Sequence, residues 1–175
     1  MEVLQVIKNN LLGFDMVIFA AAVINVIFYI LTRNYTDRLY NTLHLAVYVP
    51  SRRRDPEKVA EELKKIDEEK VASLRKQSES FYAIFMNITA IFPLLGILGT
   101  VVSLLPLVAE MTDMETNFFS ALTSTFWGLV FAIIFKLLDG FLSSKIEDND
   151  KSVTLFMERR IYAAEVSTSG RPGKH

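Results

Sequence analysis

Residues 92–108, "FPLLGILGTVVSLLPLV", are apolar enough to cross a membrane, yet within them stand Pro93, Gly96, Gly99, Thr100, Ser103 and Pro106. A helix serving only as a lipid anchor would do as well with Leu and Val throughout. The glycines call for a closely packed neighbour. The hydroxyls call for a polar task at a depth where water is absent.

This stretch belongs to the second of three segments long enough to span a bilayer, at 13–32, 81–108 and 117–142. Each reaches the roughly 20 residues that a helix needs to cross about 30 Å of hydrocarbon. The chain is 51% hydrophobic, and those residues are concentrated in the three runs, which predicts a multi-pass protein of the lipid bilayer. Backbone groups in lipid can be satisfied only internally, so the expected class is all-α. The first segment, with Asn25 as its only interior polar side chain, reads as a retained helix. Its apolar core is too long for a signal peptide, it lacks a clean small-x-small cleavage site, and further spans follow.

The net charge of −1 conceals a strong asymmetry. Residues 33–80 carry eleven Lys and Arg, among them Arg52, Arg53 and Arg54, and residues 144–175 carry six. The connection 109–116 has none, and holds Glu110, Asp113 and Glu115. By the positive-inside rule the N-terminus faces outward and the C-terminus lies in the cytoplasm, as expected for a protein of the cytoplasmic membrane. Four regions follow: 1–32, the outward N-terminus and first span; 33–80, a cytoplasmic helical region; 81–143, a pair of spans; and 144–175, a cytoplasmic tail.

In 33–50, Tyr35, Leu39, Leu43, Ala46 and Val47 recur at helical spacing. They suit a short amphipathic helix at the membrane surface or an ordinary packed helix of a small cytoplasmic domain. Asp55 and Pro56 read as N-cap and first helical residue. No breaker follows before Pro93, and Leu63, Ile66, Val71, Leu74 and Phe81 make an imperfect stripe, so the second span is expected to extend into the cytoplasm as one rod over 56–92. The charges on it suit a solvated face or a docking surface. The final "STSGRPGKH" is polar and breaker-rich, and is expected to be disordered.

Within the spans the small and hydroxylated residues share faces. Gly96, Gly99 or Thr100, and Ser103 recur at three- and four-residue intervals, as do Ser120, Ser124, Gly128 and Ala132, with Ala121 and Thr125 alongside. Close helix packing accounts for the glycines. Alanine would pack as closely as the hydroxyls, so Ser124 and Thr125, facing Thr100 and Ser103, have a second use in solvating an ion. Adjacent hydroxyls suit a partly dehydrated sodium ion or relay water for protons, and protons are the favoured reading. No carboxylate lies in the middle of a span: Asp15, Glu110 and Asp139 fall near span ends, and Lys136 can snorkel or pair with Asp139. An ion-conducting protein built this way needs its acid from another chain.

No cysteine is present, and His44 and His175 stand apart from each other and from acidic clusters, so neither a metal site nor a cofactor is expected. No nucleophile–base pair or phosphate loop points to an enzyme, and nothing points to nucleic acid. A membrane scaffold that oligomerises through its small-residue faces and conducts nothing is the alternative to a conducting protein. A self-contained transporter is disfavoured, because no span carries its own ionisable residue at depth.

"FPLLGILGTVVSLL" followed by "ALTSTFWGLVFAIIF" resembles the paired signature of the MotA/TolQ/ExbB proton channel family. Pro93, Gly96, Gly99 and Thr100 fall on its first half, and Ala121, Thr125, Gly128 and Ala132 on its second. The three spans, large first cytoplasmic loop and short outer loop are similar to those of TolQ and ExbB; "STFWG" is closer to MotA. Two features depart from the pattern: Lys136, and the lack of a proline after the threonine–glycine element. The resemblance covers about residues 80–143. It implies a ring of five copies around a dimer of single-span, MotB/TolR/ExbD-like partner chains whose aspartate carries the ion. It further implies an ion path past Thr100 and Thr125, and a rotation driven by the ion gradient.

Overall fold

The computed structural model describes residues 14–47, 67–109 and 114–169. They form three helices: α1 at Asp15–Val47, α2 at Glu68–Ala109 and α3 at Met114–Ser169. All three are long and apolar enough to cross a membrane. The chain is an all-helical, multi-pass membrane protein.

Helix boundaries differ from the sequence reading at three places. Residues 33–47 are not a separate short helix; α1 runs through them without a break. Asp67, within the rod expected over 56–92, is not helical, and α2 begins at Glu68. The Asp67 carboxylate accepts the Glu69 N–H at 3.0 Å, and Glu68 and Glu69 occupy the first turn. This is an N-cap with acids at the positive end of the helix dipole. Asp55, Pro56, Leu63 and Ile66 lie outside the described residues. At the other end α3 takes in Ser167–Ser169 of the final segment, and residues 170–175 lie outside the described residues.

The chain divides into two units. The first joins Met1–Ile30 to Phe81–Phe141. In it α1 and α2 run antiparallel, with Phe14 against Gly99, Asn25 against Thr89 and Phe28 against Phe81. Helices α2 and α3 also run antiparallel, with Ser103 by Ser120, Gly96 by Gly128, Phe92 by Phe131 and Tyr82 by Asp139. The core is an aromatic column of Phe85, Phe92, Phe131 and Phe135, with Phe19 and Trp127 joined to Phe131. Its polarity is inside-out: Asp15, Asn25, Thr89 and Ser124 are buried, whereas Leu94, Ile133 and Phe141 are exposed. Such a surface in water would be an association hazard. Facing lipid or other helices it is expected, with polar groups turned to the bundle interior.

The second unit joins Leu31–Ser80 to Leu142–His175. Its core holds Leu39 and Leu43 from α1, Val71 and Leu74 from α2, and Val153 and Phe156 from α3. This favours the packed-helix reading of residues 33–47, because Leu39 and Leu43 of the apolar stripe are buried against protein. Beside this core the Thr36 and Ser78 hydroxyls meet at 2.7 Å, and the Asn149 amide donates to the Thr36 carbonyl at 2.8 Å. Arg75 bonds Glu79 at 2.8 Å and Asp150 at 2.7 Å, while Lys145 bonds Asp37 and Arg160 bonds Glu68. The hydrogen bond to Glu79 is the main reason the Arg75 guanidinium is held above its ordinary pKa; partial burial opposes it and attraction to Asp150 adds to it. These pairs are partly exposed and set register more than stability.

Candidate ion path between α2 and α3

Bare backbone brings the two helices together. A Cβ added to Gly128 would lie 2.8 Å from the Gly96 Cα and from the Phe92 carbonyl oxygen. One added to Gly99 would lie 2.5 Å from the Ser124 Cβ and 2.7 Å from the Phe14 ring. The small-residue line Ser120, Ser124, Gly128 is therefore occupied by α2 of the same chain. Ala121 is buried in the same unit, and Pro93 and Ala132 are half-buried.

The approach of the two backbones brings hydroxyls face to face. Thr100 and Thr125 meet at 2.5 Å, and each reaches the Gly96 carbonyl oxygen, at 3.0 and 3.2 Å. Each hydroxyl has one proton to donate and can also accept. Three O···O contacts thus share two protons, so one contact is always without a donor and the protons can be redistributed by rotation alone. Both threonines are half-buried. Ser103 faces Ser120 at 3.3 Å, one turn from the threonines.

Ser124 does not join this group. It is fully buried and donates its hydroxyl to the carboxylate of Asp15. The expected facing of Ser124 and Thr125 toward Thr100 and Ser103 therefore holds for the threonine pair only. Ser124 lies ten residues into α3 from Met114, and Gly99 ten residues in from Ala109 at the end of α2. At 1.5 Å per residue both are about 15 Å from those helix ends. Asp15, although the first residue of α1, sits at that level and is 2% exposed. Asp15 begins its own helix yet is level with residues well inside the neighbouring ones: the position of an acid along its own helix does not give its level against the others. The signal was a lone acid next to Phe14, with small residues, Gly99 and Ser124, opposite it.

At the other end of this unit Asp139 is buried, accepting from the Tyr82 hydroxyl at 2.7 Å and from Lys136 at 2.8 Å. The lysine side chain is 67% exposed, so its aliphatic stem runs outward while its ammonium turns back to the acid. The three-residue spacing of Lys136 and Asp139 anticipated this pair; Tyr82 was not anticipated.

The model of the MotA/TolQ/ExbB proton channel family matches residues 31–154, well over half of the chain. No curated protein and no solved structure matches it. The match takes in both helices of the threonine pair and most of the second unit. A chain with three membrane-crossing helices, hydroxyls paired between two of them and this family match belongs to the MotA/TolQ/ExbB proton channel family.

Proposed function

We propose that this chain is the ring subunit of a proton-driven membrane motor. Five copies surround a dimer of single-span partner chains of the MotB/TolR/ExbD kind, and an aspartate of the partner carries the proton past Thr100 and Thr125. Flow down the gradient turns the ring around the dimer. The N-terminus is outside, residues 33–80 and 144–175 are cytoplasmic, and α2 carries its span onward into the cytoplasm.

The observation that carries this reading is the Thr100–Thr125 pair with its shared Gly96 carbonyl. Packing alone would be served by two alanines. A half-buried pair of hydroxyls with one donor fewer than its contacts is suited to order water beside a passing proton. The outward apolar surface of the first unit, including Leu94, Ile97 and Phe126, is available to lipid and to further copies. Native mass spectrometry of the protein purified in mild detergent from its own cell tests the assembly. The expected species is five copies of the 19.9 kDa chain with two of a smaller partner. A monomer or dimer without a partner would overturn it.

A further inference from the structure

Asp15 has no part in the path just described, yet among the described residues it is the one carboxylate at the level of the threonine pair. We propose that Asp15 is a proton-binding site of this chain itself, exchanging protons between the outer side and water at the Thr100–Thr125 hydroxyls. The proposal rests on the reading of those threonines as the path.

Three observations converge on it. Asp15 is 2% exposed, so its charge is almost fully withdrawn from solvent. Its recorded side-chain partner is a neutral hydroxyl, that of Ser124, and the position facing it from α2 is Gly99. The outer stretches 92–109 of α2 and 114–123 of α3 hold one ionisable side chain, Glu115, which is exposed and acidic. No cation among these described residues is placed to hold Asp15 ionised. Ser124 and Gly99 are the helix neighbours of Thr125 and Thr100, so Asp15 lies at the level of the pair, on an adjacent face of the two helices, and water has to bridge the two. In the step itself a hydronium ion loses a proton, an O–H bond forms on an Asp15 carboxylate oxygen, and water is left. The Ser124 hydroxyl donates to the ionised acid and can rotate to accept from the protonated one. The bond breaks again when the proton passes to a water molecule at Thr125.

A purely structural role is the competing account: an acid in the first turn of a helix is favoured by the helix dipole. Infrared titration of the full chain in liposomes separates the two. A protonated-carboxyl C=O band should rise and fall with pH, disappear in Asp15→Asn, and change frequency in Ser124→Ala. A structural acid that stays ionised gives no such band, and its absence would overturn the proposal. Flux is read on the complex with its copurified partner, with Thr125→Val alongside. Asp15→Asn should lower proton flux about a hundredfold, the low end of what a positioned proton-transfer group contributes, and Asp15→Glu should restore part of it with a displaced pH midpoint. Flux lost in Thr125→Val but kept in Asp15→Asn would overturn the Asp15 site and leave the threonine path standing. Flux lost in Asp15→Asn but kept in Thr125→Val would overturn the threonine path and with it the exchange proposed between Asp15 and water at those hydroxyls. If the Asn variant fails to assemble, the Ser124→Ala shift of the band in otherwise unaltered protein decides.

Discussion

Ser124, about 15 Å along α3 from its N-terminal end, donates its hydroxyl to Asp15, the first residue of α1. The contact depends on Gly99, whose missing side chain leaves room for both Ser124 and Phe14. Gly99→Ala should push Ser124 off Asp15 and destabilise the first unit by about 1–3 kcal/mol, the usual cost of overpacking. Gly140, with nothing within 4 Å of its would-be Cβ, is the control. Gly140→Ala should be neutral or gain up to about 1 kcal/mol in helix propensity. Unfolding of the reconstituted protein measures both, and equal losses would count against the packing described.

Gly128 fills a tighter place, because a Cβ there meets backbone atoms that cannot rotate away. Ser103 and Ser120, 3.3 Å apart between hydroxyl oxygens, offer a reporter. With both changed to Cys, oxidation should close a crosslink at monomer mass, and adding Gly128→Leu should abolish it. Crosslinks at dimer mass would instead assign the small-residue line to contacts between subunits.

In the second unit the buried Asn149 amide bonds the Thr36 carbonyl, and Thr36 bonds Ser78. Asn149→Ala removes a buried hydrogen bond to a carbonyl that the α1 helix still engages, at about 0.5–1.5 kcal/mol. Thermal unfolding should show that loss, with Ser144→Ala, at an exposed position of the same helix, close to unaltered protein. An Asn149→Ala variant as stable as the parent would mean that water replaces the amide without loss.

Seventeen basic residues in 33–80 and 144–175, against none in 109–116, predict the topology. Cysteines introduced at Ser73 and at Thr112, the latter outside the described residues, should react with impermeant reagents from opposite sides. Labelling of both from one side would remove the three-span arrangement.

What could be read in advance was whatever depends on one helix at a time. Apolar run length located the three spans, and the periodicity of Gly96, Thr100, Ser103 and of Ser120, Ser124, Gly128 located the faces that meet. Offsets between helices were not legible, which is why Asp15 was placed at a membrane boundary and Ser124 beside Thr100. High helix propensity around 56–75 masked the Asp67 cap, although Asp followed by two Glu is a recognisable helix start. The region 144–175 was read as a tail, yet Asn149, Val153 and Phe156 recur at helical spacing and are buried against α1 and α2. That stripe stands in the sequence among charges that mask its period.

The central claim is that protons pass the Thr100–Thr125 pair, and the most direct test is proton flux through liposomes holding the complex with Thr125 altered. If Thr125 only packs, Val is its nearest isostere and costs about 0.6 kcal/mol for one interhelical hydrogen bond. If it orders the proton's water, Thr125→Val leaves a polar group unpaired at about 1–3 kcal/mol, and more where charge is involved. The account predicts that Thr125→Val assembles normally but loses most flux, that Thr125→Ser keeps much of it, and that Thr100 shows the same contrast more weakly. Full flux through an intact Thr125→Val complex would contradict it and leave these hydroxyls with a packing role alone.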